Sequence, residues 1–543
     1  MKLIAAFVFI MMSLTVSAVE NATIWSKYTL TFSSDKNYEN PVYDVNVFNI
    51  TFTSPLGIRK TVNGFWNGGM SWEVRFLPDE TGTWSWTSLC SDKENKGLNG
   101  QTGTFICNKS KDHTPVFPNG DLVHPKGKYH LSFNDGTPFF WTACTAWNGA
   151  LKSTSEDWDY YLGQRKANNY NVIQLVTTQW RGCDKNAEGL VAFESGGSGN
   201  IKVNPEFFKR MDDRIDRVNA HGLLAAPVLL WALPSGKGKE LNPGYYLPVD
   251  EAVLLAKYIV ARYQGNMVIW MLGGDGRFLG DLESRWKEIG RKVFSGIDHA
   301  PVTLHPQGSS WIGDLYAPEE WYDLMGYQSS HSNGASVVNW INKGPMSQMW
   351  PRLKPMPYIN LEPNYEEINN KITGTDVRNA SYWSIFATPI AGITYGANGI
   401  WPWVNDGEAI LNHGNQAKLT GWKKSIDFPG SLQIGYLSEF IQQFEWWKFF
   451  PANEILAEQP GEKVYNQWIS VVKTADNSRV LAYIPCRATI KLFNPGQKVY
   501  TVQWFDPVSN RTTRVIEKVK DSIITINQNI DHDMVLILKA KKR

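Results

Sequence analysis

The spacing of apolar residues divides the chain into three parts. In residues 25–107, short stretches alternate between apolar and polar residues and are separated by turn residues such as Ser54 and Pro55. Alternation with a period of two predicts strands with one buried face, and frequent turns predict antiparallel pairing. This part is therefore predicted to be a β-sandwich of about 90 residues, and we assign it to residues 19–110.

In the middle of the chain, continuous apolar runs alternate with segments of helical period. Two of the helical segments, 156–168 and 205–220, follow the predicted caps Ser155 and Asn204. Continuous runs predict strands buried on both faces, and the repeated order predicts parallel strands joined by helices. We therefore predict a (β/α)8 barrel at residues 111–450, with a doubly wound sheet as the alternative. The eight runs are residues 139–147, 172–180, 223–231, 267–275, 302–307, 324–328, 358–362 and 393–401.

The last part of the chain returns to short strands. It follows a predicted helix at residues 433–443, and its pattern again predicts a β-sandwich, at residues 451–543. A structural cap on the barrel and a carbohydrate- or matrix-binding module both fit this domain. The fold class predicted for the whole chain is multidomain, with a central (β/α)8 TIM barrel flanked by two β-sandwich domains.

The first 18 residues have the pattern of a cleavable secretory signal peptide. Lys2 precedes an apolar run at residues 3–12, and small residues follow at Ser17 and Ala18. The run is too short to span a bilayer, so we expect no membrane insertion. The sequence predicts export, with the mature protein secreted or periplasmic.

Composition narrows the classes of partner. The 543 residues include 54 Lys and Arg and 52 Asp and Glu, which gives a net charge of +2. Nothing in this balance favours nucleic acid or anionic lipid as a partner. Aromatic residues reach 13%, with 24 Trp, and aromatic rings suit the apolar C–H faces of sugars. An oligo- or polysaccharide is therefore the predicted partner, while the oligomeric state stays open.

The cysteines are few for an exported chain of this length. Of the five, Cys90 and Cys107 both fall in the first predicted sandwich. We predict that these two form either a disulfide or a pair of adjacent thiols in that domain.

Two carboxylates lie at the carboxyl ends of predicted barrel strands. Asp275 follows a Gly-Gly pair at the end of the fourth run, and Glu362 ends the seventh, before Pro363. Catalytic groups of such barrels lie at the carboxyl ends of the strands. Glycoside hydrolysis needs two carboxylates on either side of one bond, so Asp275 and Glu362 are the candidate catalytic residues.

Aromatic, amide and imidazole side chains close most of the other strands. They suit the apolar faces and the hydroxyl groups of a sugar. His305 and His331 were also considered as metal ligands, but neither a His-Glu-x-x-His helix nor a Cys-x-x-Cys pair accompanies them. We therefore predict neither a metal site nor a cofactor. The candidate substrate-binding residues are Trp147, Gln179, Trp180, Trp231, His305, Gln307, Tyr327, His331, Asn364, Tyr395 and Trp401.

Five segments, all within the predicted barrel, resemble the apiosidase-like glycoside hydrolases, a group similar to glycoside hydrolase family 140. They are residues 138–147, 268–275, 324–328, 361–365 and 394–401. The resemblance implies an exported polysaccharide-degrading enzyme with a catalytic barrel, a small N-terminal β-domain and a C-terminal domain similar to collagen-binding-like β-domains. It also implies that Asp275 is the acid/base and Glu362 the nucleophile.

One residue departs from the family pattern. Cys144 stands where the family commonly has Asp, two residues before Ala146. If that Asp binds a sugar hydroxyl, the thiol is a weaker acceptor, which argues against apiose as the substrate. The predicted function is a secreted, retaining glycoside hydrolase of plant or microbial polysaccharide. The alternative is a non-catalytic carbohydrate-binding or adhesion protein with an inactive barrel.

Overall fold

The structure, a computed structural model, describes residues 20–109, 116–195, 199–413 and 419–541. The signal peptide predicted at residues 1–18 lies outside these ranges. Along the described chain, a β-rich N-terminal part is followed by a parallel barrel and then by a β-rich C-terminal part.

The N-terminal domain is a sandwich of two antiparallel-rich sheets. One sheet has the order β1-β8-β7-β3-β4 and the other β2-β6-β5. Aromatic side chains fill the space between them, with the Phe52 and Phe76 rings stacked 4.2 Å apart. The helix α1 is Pro41–Asp44, and the strands are β1 Glu20–Thr23, β2 Tyr28–Ser33, β3 Phe48–Thr53, β4 Arg59–Asn63, β5 Phe65–Trp66, β6 Ser71–Phe76, β7 Gly82–Cys90 and β8 Thr102–Asn108.

The predicted pairing of Cys90 and Cys107 is wrong. Both are free, buried thiols on the neighbouring strands β7 and β8. Cys107 lies opposite Gly82 at the start of β7, whereas Cys90 ends that strand. At about 3.3 Å per residue, the two cysteines are roughly 26 Å apart along the sheet, so they form neither a disulfide nor an adjacent pair.

Eight parallel strands form the barrel, and each of the eight predicted runs overlaps one of them. A small sheet, β9 to β11, precedes the barrel, and the hairpin β14–β15 follows its second strand. The barrel order is β18-β17-β16-β13-β12-β22-β20-β19, and β21 pairs with β22. The strands are β9 Leu122–Val123, β10 Leu131–Phe133, β11 Pro138–Phe139, β12 Trp141–Thr145, β13 Val172–Val176, β14 Phe193–Ser195, β15 Ile201–Val203, β16 Leu224–Trp231, β17 Trp270–Gly276, β18 Val302–Pro306, β19 Met325–Gln328, β20 Tyr358–Glu362, β21 Tyr365–Glu366 and β22 Gly392–Ala397.

Helices connect the barrel strands, as predicted. Asn204 caps α4 by accepting a hydrogen bond from the Glu206 N–H, whereas the cap of α3 is Thr154 and not the predicted Ser155, which is the first helical residue. None of the helices in the described ranges is long and apolar enough to cross a membrane. The helices are α2 Gly149–Lys152, α3 Ser155–Ala167, α4 Pro205–Ala220, α5 Pro243–Tyr246, α6 Val249–Tyr263, α7 Glu283–Phe294, α8 Gly313–Tyr316, α9 Ala335–Lys343, α10 Pro345–Met349, α11 Gly374–Phe386, α12 Trp422–Ser425 and α13 Pro429–Gln442.

The C-terminal domain is a second β-rich unit that packs on the barrel. Its larger sheet has the order β23-β24-β25-β30-β27-β28, and β26 pairs with β29 in a smaller sheet. One face of the larger sheet meets barrel helices, where Phe505 stacks on Phe440 of α13 at 4.0 Å and Tyr483 on Tyr382 of α11 at 4.5 Å. The strands are β23 Phe449–Pro451, β24 Ser470–Thr474, β25 Arg479–Ile484, β26 Ala488–Phe493, β27 Tyr500–Asp506, β28 Arg511–Val519, β29 Ile523–Gln528 and β30 Met534–Ala540.

The N-terminal domain is joined to the barrel by a buried ion-pair network. Arg75 of β6 and Arg262 of α6 both bind the carboxylate of Asp212 on α4, at 2.7 Å each. Both guanidinium groups also lie over the ring of Phe65, which belongs to the barrel core. The β2-β6-β5 sheet of the sandwich is therefore held in one orientation on the outer helices.

Candidate active site

The end of β17 brings a carboxylate into a crowded part of the barrel mouth. Gly274 lies against the Trp231 ring, and a Cβ at this position would stand 2.7 Å from ring atoms. The pairing of β17 with β18 is irregular around Gly274, and Asp275 has a left-handed φ of 49°. A bulge re-aims the side chain that follows it, so this local geometry sets the direction of the Asp275 carboxyl group.

The second carboxylate, Glu362, is held between two histidines. His331 Nε2 lies 2.9 Å from Glu362 Oε1, and His305 Nε2 lies 3.0 Å from Oε2, although the second contact is not aligned as a regular hydrogen bond. The Glu362 side chain is only 9% exposed. Two nitrogens on opposite sides of a buried carboxylate fix its position and favour its negative charge.

Backbone contacts set the orientation of both imidazole rings. The Asp275 N–H donates to His305 Nδ1 at 3.3 Å, which leaves the ring proton on Nε2, facing Glu362. His331 Nδ1 lies 2.8 Å from the Pro363 carbonyl and 3.3 Å from the Tyr365 N–H. The His331 ring is therefore held between the backbone of residues 363–365 and the Glu362 carboxylate, which Nε2 faces at 2.9 Å.

The two carboxyl groups have pKa values that move in opposite directions. Burial, and then the negative charge of Glu362, raise the pKa of Asp275 to about 7, against the smaller effects of His305 and Arg181. Burial also acts to raise the pKa of Glu362, but hydrogen bonds and charge from His305 and His331 outweigh it and lower the value to about 2. Below about pH 7 the site therefore combines a mainly protonated Asp275 with an ionised Glu362.

Four tryptophans that follow barrel strands form one cluster at the mouth. The ring of Trp231 lies 5.3 Å from Trp147 and 4.3 Å from Trp180, and Trp401 lies 6.2 Å from Trp180. Trp147 also meets the His305 ring edge to face at 5.5 Å. The structure thus brings Trp147, Trp180, Trp231 and Trp401 together in one cluster, which reaches His305 and the end of β17.

Several buried polar atoms at this mouth have no hydrogen-bond partner within the described part of the chain. They are Nε1 of Trp231, Nε1 of Trp401 and Oε1 of Gln328. Gln328 lies beside Glu362 in the pairing of β19 with β20. Buried polar groups are costly when unpaired, so these atoms are available to bind water or a ligand.

Two further residues at the mouth were missed from the sequence. Tyr365 accepts a hydrogen bond from Trp147 Nε1 at 2.8 Å and packs on the His331 ring at 4.3 Å, and burial together with the Glu362 charge raises its pKa well above the ordinary value. The signal that could have identified Tyr365 is its position three residues after Glu362. Arg181 has no such signal, because its contacts come from loops distant in sequence.

Two predicted binding residues lie away from the mouth. Tyr327 is buried against Trp340 of α9, 5.8 Å between ring centres, and the Tyr395 hydroxyl donates to Glu366 at 2.9 Å while its ring lies 6.3 Å from Tyr170. Both side chains thus occupy the layer between strands and helices. The structure does not bring them into contact with the carboxylates.

Gln179, Asn364 and Gln307 also make no contact with the carboxylates. The Gln179 side-chain amide is hydrogen-bonded to the loop that follows: it donates to Phe193 O and accepts from the Ala192 N–H. Asn364 reaches toward α11, with Nδ2 3.4 Å from a backbone carbonyl. Gln307 follows β18 at the rim, where its backbone N–H donates to Gly276 O at 3.1 Å.

The argument from Cys144 against apiose is not supported by its position. Cys144 is fully buried, and its thiol faces Tyr161 and Arg165 of α3 rather than the barrel mouth. The residue at this position therefore contacts the helix layer and does not face a sugar. Among the described residues, no group of three or more His, Cys, Asp or Glu side chains is arranged to hold a metal ion.

Comparison with known proteins supplies the class and the family. A protein described as a glycoside hydrolase superposes with a TM-score of 0.67 at 23% identity, over 79% of this chain and 99% of its own. A glycoside hydrolase family 5 protein from Bacteroides vulgatus ATCC 8482 superposes with a TM-score of 0.68 at 22% identity, over 78% of this chain and 95% of its own. A further structure from that organism covers 96% of this chain and all of its own, with a TM-score of 0.69 and 16% identity. At these identities the likeness shows the fold, while no curated protein matches the chain.

Fold and site together define a TIM-barrel glycoside hydrolase. Residues 125–448, more than half of the chain, match the family described as apiosidase-like, catalytic domain. The chain therefore belongs to the apiosidase-like glycoside hydrolases, and the resemblance found in its motifs is confirmed. Residues 21–91 match a domain of unknown function, DUF5060, within the N-terminal sandwich.

Proposed function

We propose that the protein is a secreted, retaining glycosidase in which Glu362 is the nucleophile and Asp275 the acid/base. The observation that carries this proposal is the pair of carboxyl groups at the ends of β17 and β20 with separated pKa values, about 7 for Asp275 and about 2 for Glu362. A retaining mechanism needs one carboxyl group protonated and the other ionised at the start of the reaction.

In the first step, the ionised Glu362 attacks the anomeric carbon and forms a glycosyl ester. Asp275 gives its proton to the departing glycosidic oxygen. His305 and His331 hold the attacking carboxylate in place through their contacts with its two oxygens. These contacts stabilise the ionised form that the attack requires.

In the second step, Asp275 takes a proton from water, and that water displaces Glu362 from the anomeric carbon. The ester has removed the negative charge of Glu362, which was one of the causes that raised the pKa of Asp275. The pKa of Asp275 therefore falls once the intermediate forms, as a base in this step requires. One residue thus serves as acid and then as base.

The proposed substrate is an oligo- or polysaccharide of plant or microbial origin. The tryptophan cluster offers apolar rings to sugar C–H faces, and the unpaired Nε1 groups of Trp231 and Trp401 would donate to sugar hydroxyls. We also propose export from the cell, which rests on the signal-peptide pattern of residues 1–18.

The test is hydrolysis of aryl-glycoside and polysaccharide panels by the wild type, Glu362→Gln and Asp275→Ala. Glu408, an exposed carboxylate of the loop after β22, provides the control variant Glu408→Gln. We expect Glu362→Gln to lose turnover at least about 10³-fold on all substrates. Asp275→Ala should keep more activity on aryl glycosides with good leaving groups than on natural ones, and Glu408→Gln should resemble the wild type.

Stereochemistry tests the retaining step directly. Proton NMR of the first product should show the anomer of the substrate, and azide should give Asp275→Ala a glycosyl azide of retained configuration. A first product with the inverted anomer would contradict the nucleophilic role of Glu362. Sugar binding without turnover on every substrate would favour the alternative, a carbohydrate-binding protein with an inactive barrel.

A further inference from the structure

The short helix α1 of the N-terminal domain reaches the hairpin β14–β15, which belongs to the loop after β13. The Ile201 N–H donates to the Tyr43 hydroxyl at 3.1 Å, and Asn40 Nδ2 donates to the Ile201 carbonyl at 2.9 Å. Asn40 precedes α1, but its side chain does not cap that helix. An edge strand presents unpaired N–H and C=O groups, and here side chains of the N-terminal domain pair with both groups of one residue in β15.

The base of the same hairpin is tied to the end of β13 through Gln179. Gln179 Nε2 donates to the Phe193 carbonyl at 2.8 Å, and Oε1 accepts from the Ala192 N–H at 2.9 Å. Phe193 begins β14 and lies opposite Val203 of β15. Only 8% of Gln179 is exposed, so a buried amide fixes the hairpin relative to the barrel strand.

Gln179 directly precedes Trp180 of the tryptophan cluster. The Trp180 N–H donates to the Cys183 carbonyl and the Cys183 N–H to the Trp180 carbonyl, both at 2.9 Å, so these residues form a tight turn. The Trp180 ring lies 4.3 Å from the Trp231 ring, and Trp231 lies against Gly274 of β17. A continuous series of contacts therefore runs from α1 to the tryptophan cluster.

We propose that Asn40 and Tyr43 are positioning residues, through which the N-terminal domain sets the place of Trp180 in the substrate-binding site. The domain fixes the hairpin, and the hairpin fixes Gln179 and the turn that follows it. This inference rests on the proposed function, because it assigns the domain a role in binding the sugar. Neither side chain needs to touch the reacting atoms for this role, so the effect falls on KM rather than on kcat.

The hairpin has a second anchor, which belongs to the barrel. The buried carboxylate of Glu251 on α6 accepts from the N–H groups of Gly199 and Asn200. These bonds precede β15, whereas Asn40 and Tyr43 bind within the strand. Loss of the α1 contacts therefore loosens β15 without releasing the whole hairpin, and the chain should still fold.

Near-isosteric variants of the full chain test this role. Asn40→Asp removes the donor to β15, Tyr43→Phe removes the acceptor, and the two substitutions are also combined. Tyr38→Phe is the control, because the Tyr38 hydroxyl bonds to Asp92 and Asn95 inside the N-terminal domain. The readouts are amide hydrogen exchange of residues 178–183 and 199–204, followed by mass spectrometry, and the separate values of KM and kcat on the best substrate. Gln179→Leu, alone and with the combined pair, completes a double-mutant cycle.

We expect the combined Asn40→Asp and Tyr43→Phe protein to raise KM at least about threefold, with kcat within about twofold of the wild type. Exchange should become faster in residues 199–204 and also in residues 178–183. Tyr38→Phe should leave KM and the exchange of both segments at wild-type values. In the Gln179→Leu background the combined pair should raise KM no further.

Three results would overturn the proposal: faster exchange confined to residues 199–204, an unchanged KM, or effects on KM that add in full in the Gln179→Leu background. The exchange pattern needs no turnover. A wild type without hydrolysis would therefore count against the proposed function, while faster exchange in residues 178–183 of the combined variant would still support the positioning of Trp180 by the N-terminal domain.

Discussion

The carboxylate of Glu362 is buried between His305 and His331, and each ring supplies a nitrogen within 3.0 Å. We predict that His331→Gln raises the pKa of Glu362, because it removes a hydrogen bond that favours the ionised form. A hydrogen bond to a charged group is worth about 1.5–3 kcal/mol, which corresponds to a rise of roughly one to two pKa units. The acid limb of the kcat/KM profile should move to higher pH by that amount.

The control for this variant is His221→Gln, at the C-terminal end of α4, where the ring lies 2.9 Å from the Arg217 carbonyl. It should leave the profile unchanged. An acid limb of His331→Gln that coincides with that of the wild type would contradict the role given to His331.

Asp275 makes the stability of the protein depend on pH. Its pKa in the folded protein is about 7, above the unfolded value of about 3.9, so the folded state holds the proton more tightly. The stability that this proton contributes is complete below pH ~3.9 and is lost as pH rises through about 7. We predict that Asp275→Asn, which stays neutral and tolerates a left-handed backbone, melts at least ~2 °C higher than the wild type at pH 8.

At pH 4 this difference in melting temperature should shrink, because Asp275 of the folded wild type is then protonated. Asp281→Asn, at an exposed carboxylate paired with Arg277, should behave like the wild type at both pH values. Equal gains for Asp275→Asn at pH 4 and pH 8 would show that the raised pKa is not the cause.

The sequence placed two carboxylates at the ends of β17 and β20, where the structure has them, but it did not predict the direction of every neighbouring side chain. A barrel strand is buried on both faces, so it lacks the alternation that shows which side chains point to the interior. Tyr327 and Tyr395 were therefore predicted at the mouth although they pack between strands and helices. Arg181 was missed because its hydrogen bonds join loops more than 50 residues apart.

Strand β17 needs a glycine where it passes Trp231. We predict that Gly274→Ala lowers both stability and activity, because the added Cβ would stand 2.7 Å from the Trp231 ring and from Val228. Overpacking of this kind costs about 1–3 kcal/mol, and a displaced Trp231 would disturb the tryptophan cluster. Urea unfolding and kcat/KM on the best substrate are the measurements.

Gly163→Ala is the matched control for this substitution. Gly163 lies inside α3 with nothing within 4 Å of a new Cβ, so the variant should be neutral or more stable by about 0.5–1 kcal/mol. If the two glycine variants have the same stability and activity, the close approach of β17 to Trp231 is not a constraint.

Strands and helices of the barrel were predicted well because their apolar runs are long and their order is regular. The sequence did not predict which residues pair between strands of the N-terminal sandwich. An apolar pattern indicates which face of a strand is buried, but not which residues lie opposite it on the neighbouring strand. Cys90 and Cys107 are on the adjacent strands β7 and β8, yet Cys90 ends β7 whereas Cys107 lies opposite Gly82 at the start of that strand.

The N-terminal domain and the barrel should unfold together. Asp212 is the acceptor for two buried guanidinium groups, and their hydrogen bonds and charges lower its pKa although burial acts to raise it. We predict that Asp212→Asn costs about 3–5 kcal/mol, because it removes the carboxylate paired with buried Arg262 and leaves Arg75 with Glu73 alone. Calorimetry should show a lower melting temperature and a separate transition for the N-terminal domain.

A second ion pair at the same interface supplies the comparison. Asp216 pairs with Lys27 at 2.5 Å, but its side chain is 43% exposed, so Asp216→Asn should cost no more than about 1 kcal/mol. Similar losses in the two variants would mean that burial does not decide the strength of this interface.

The stacking of the C-terminal sheet on α11 and α13 limits how domains can be recombined between members of the family. Val472, Leu481 and Ile537 of that sheet belong to the same apolar core as the barrel strands. A recombination point near residue 450 would leave the apolar face of both helices matched to a foreign sheet. We therefore expect the barrel and its C-terminal domain to be inherited together. Changes in Phe440 should be accompanied by changes in Phe505, and changes in Tyr382 by changes in Tyr483.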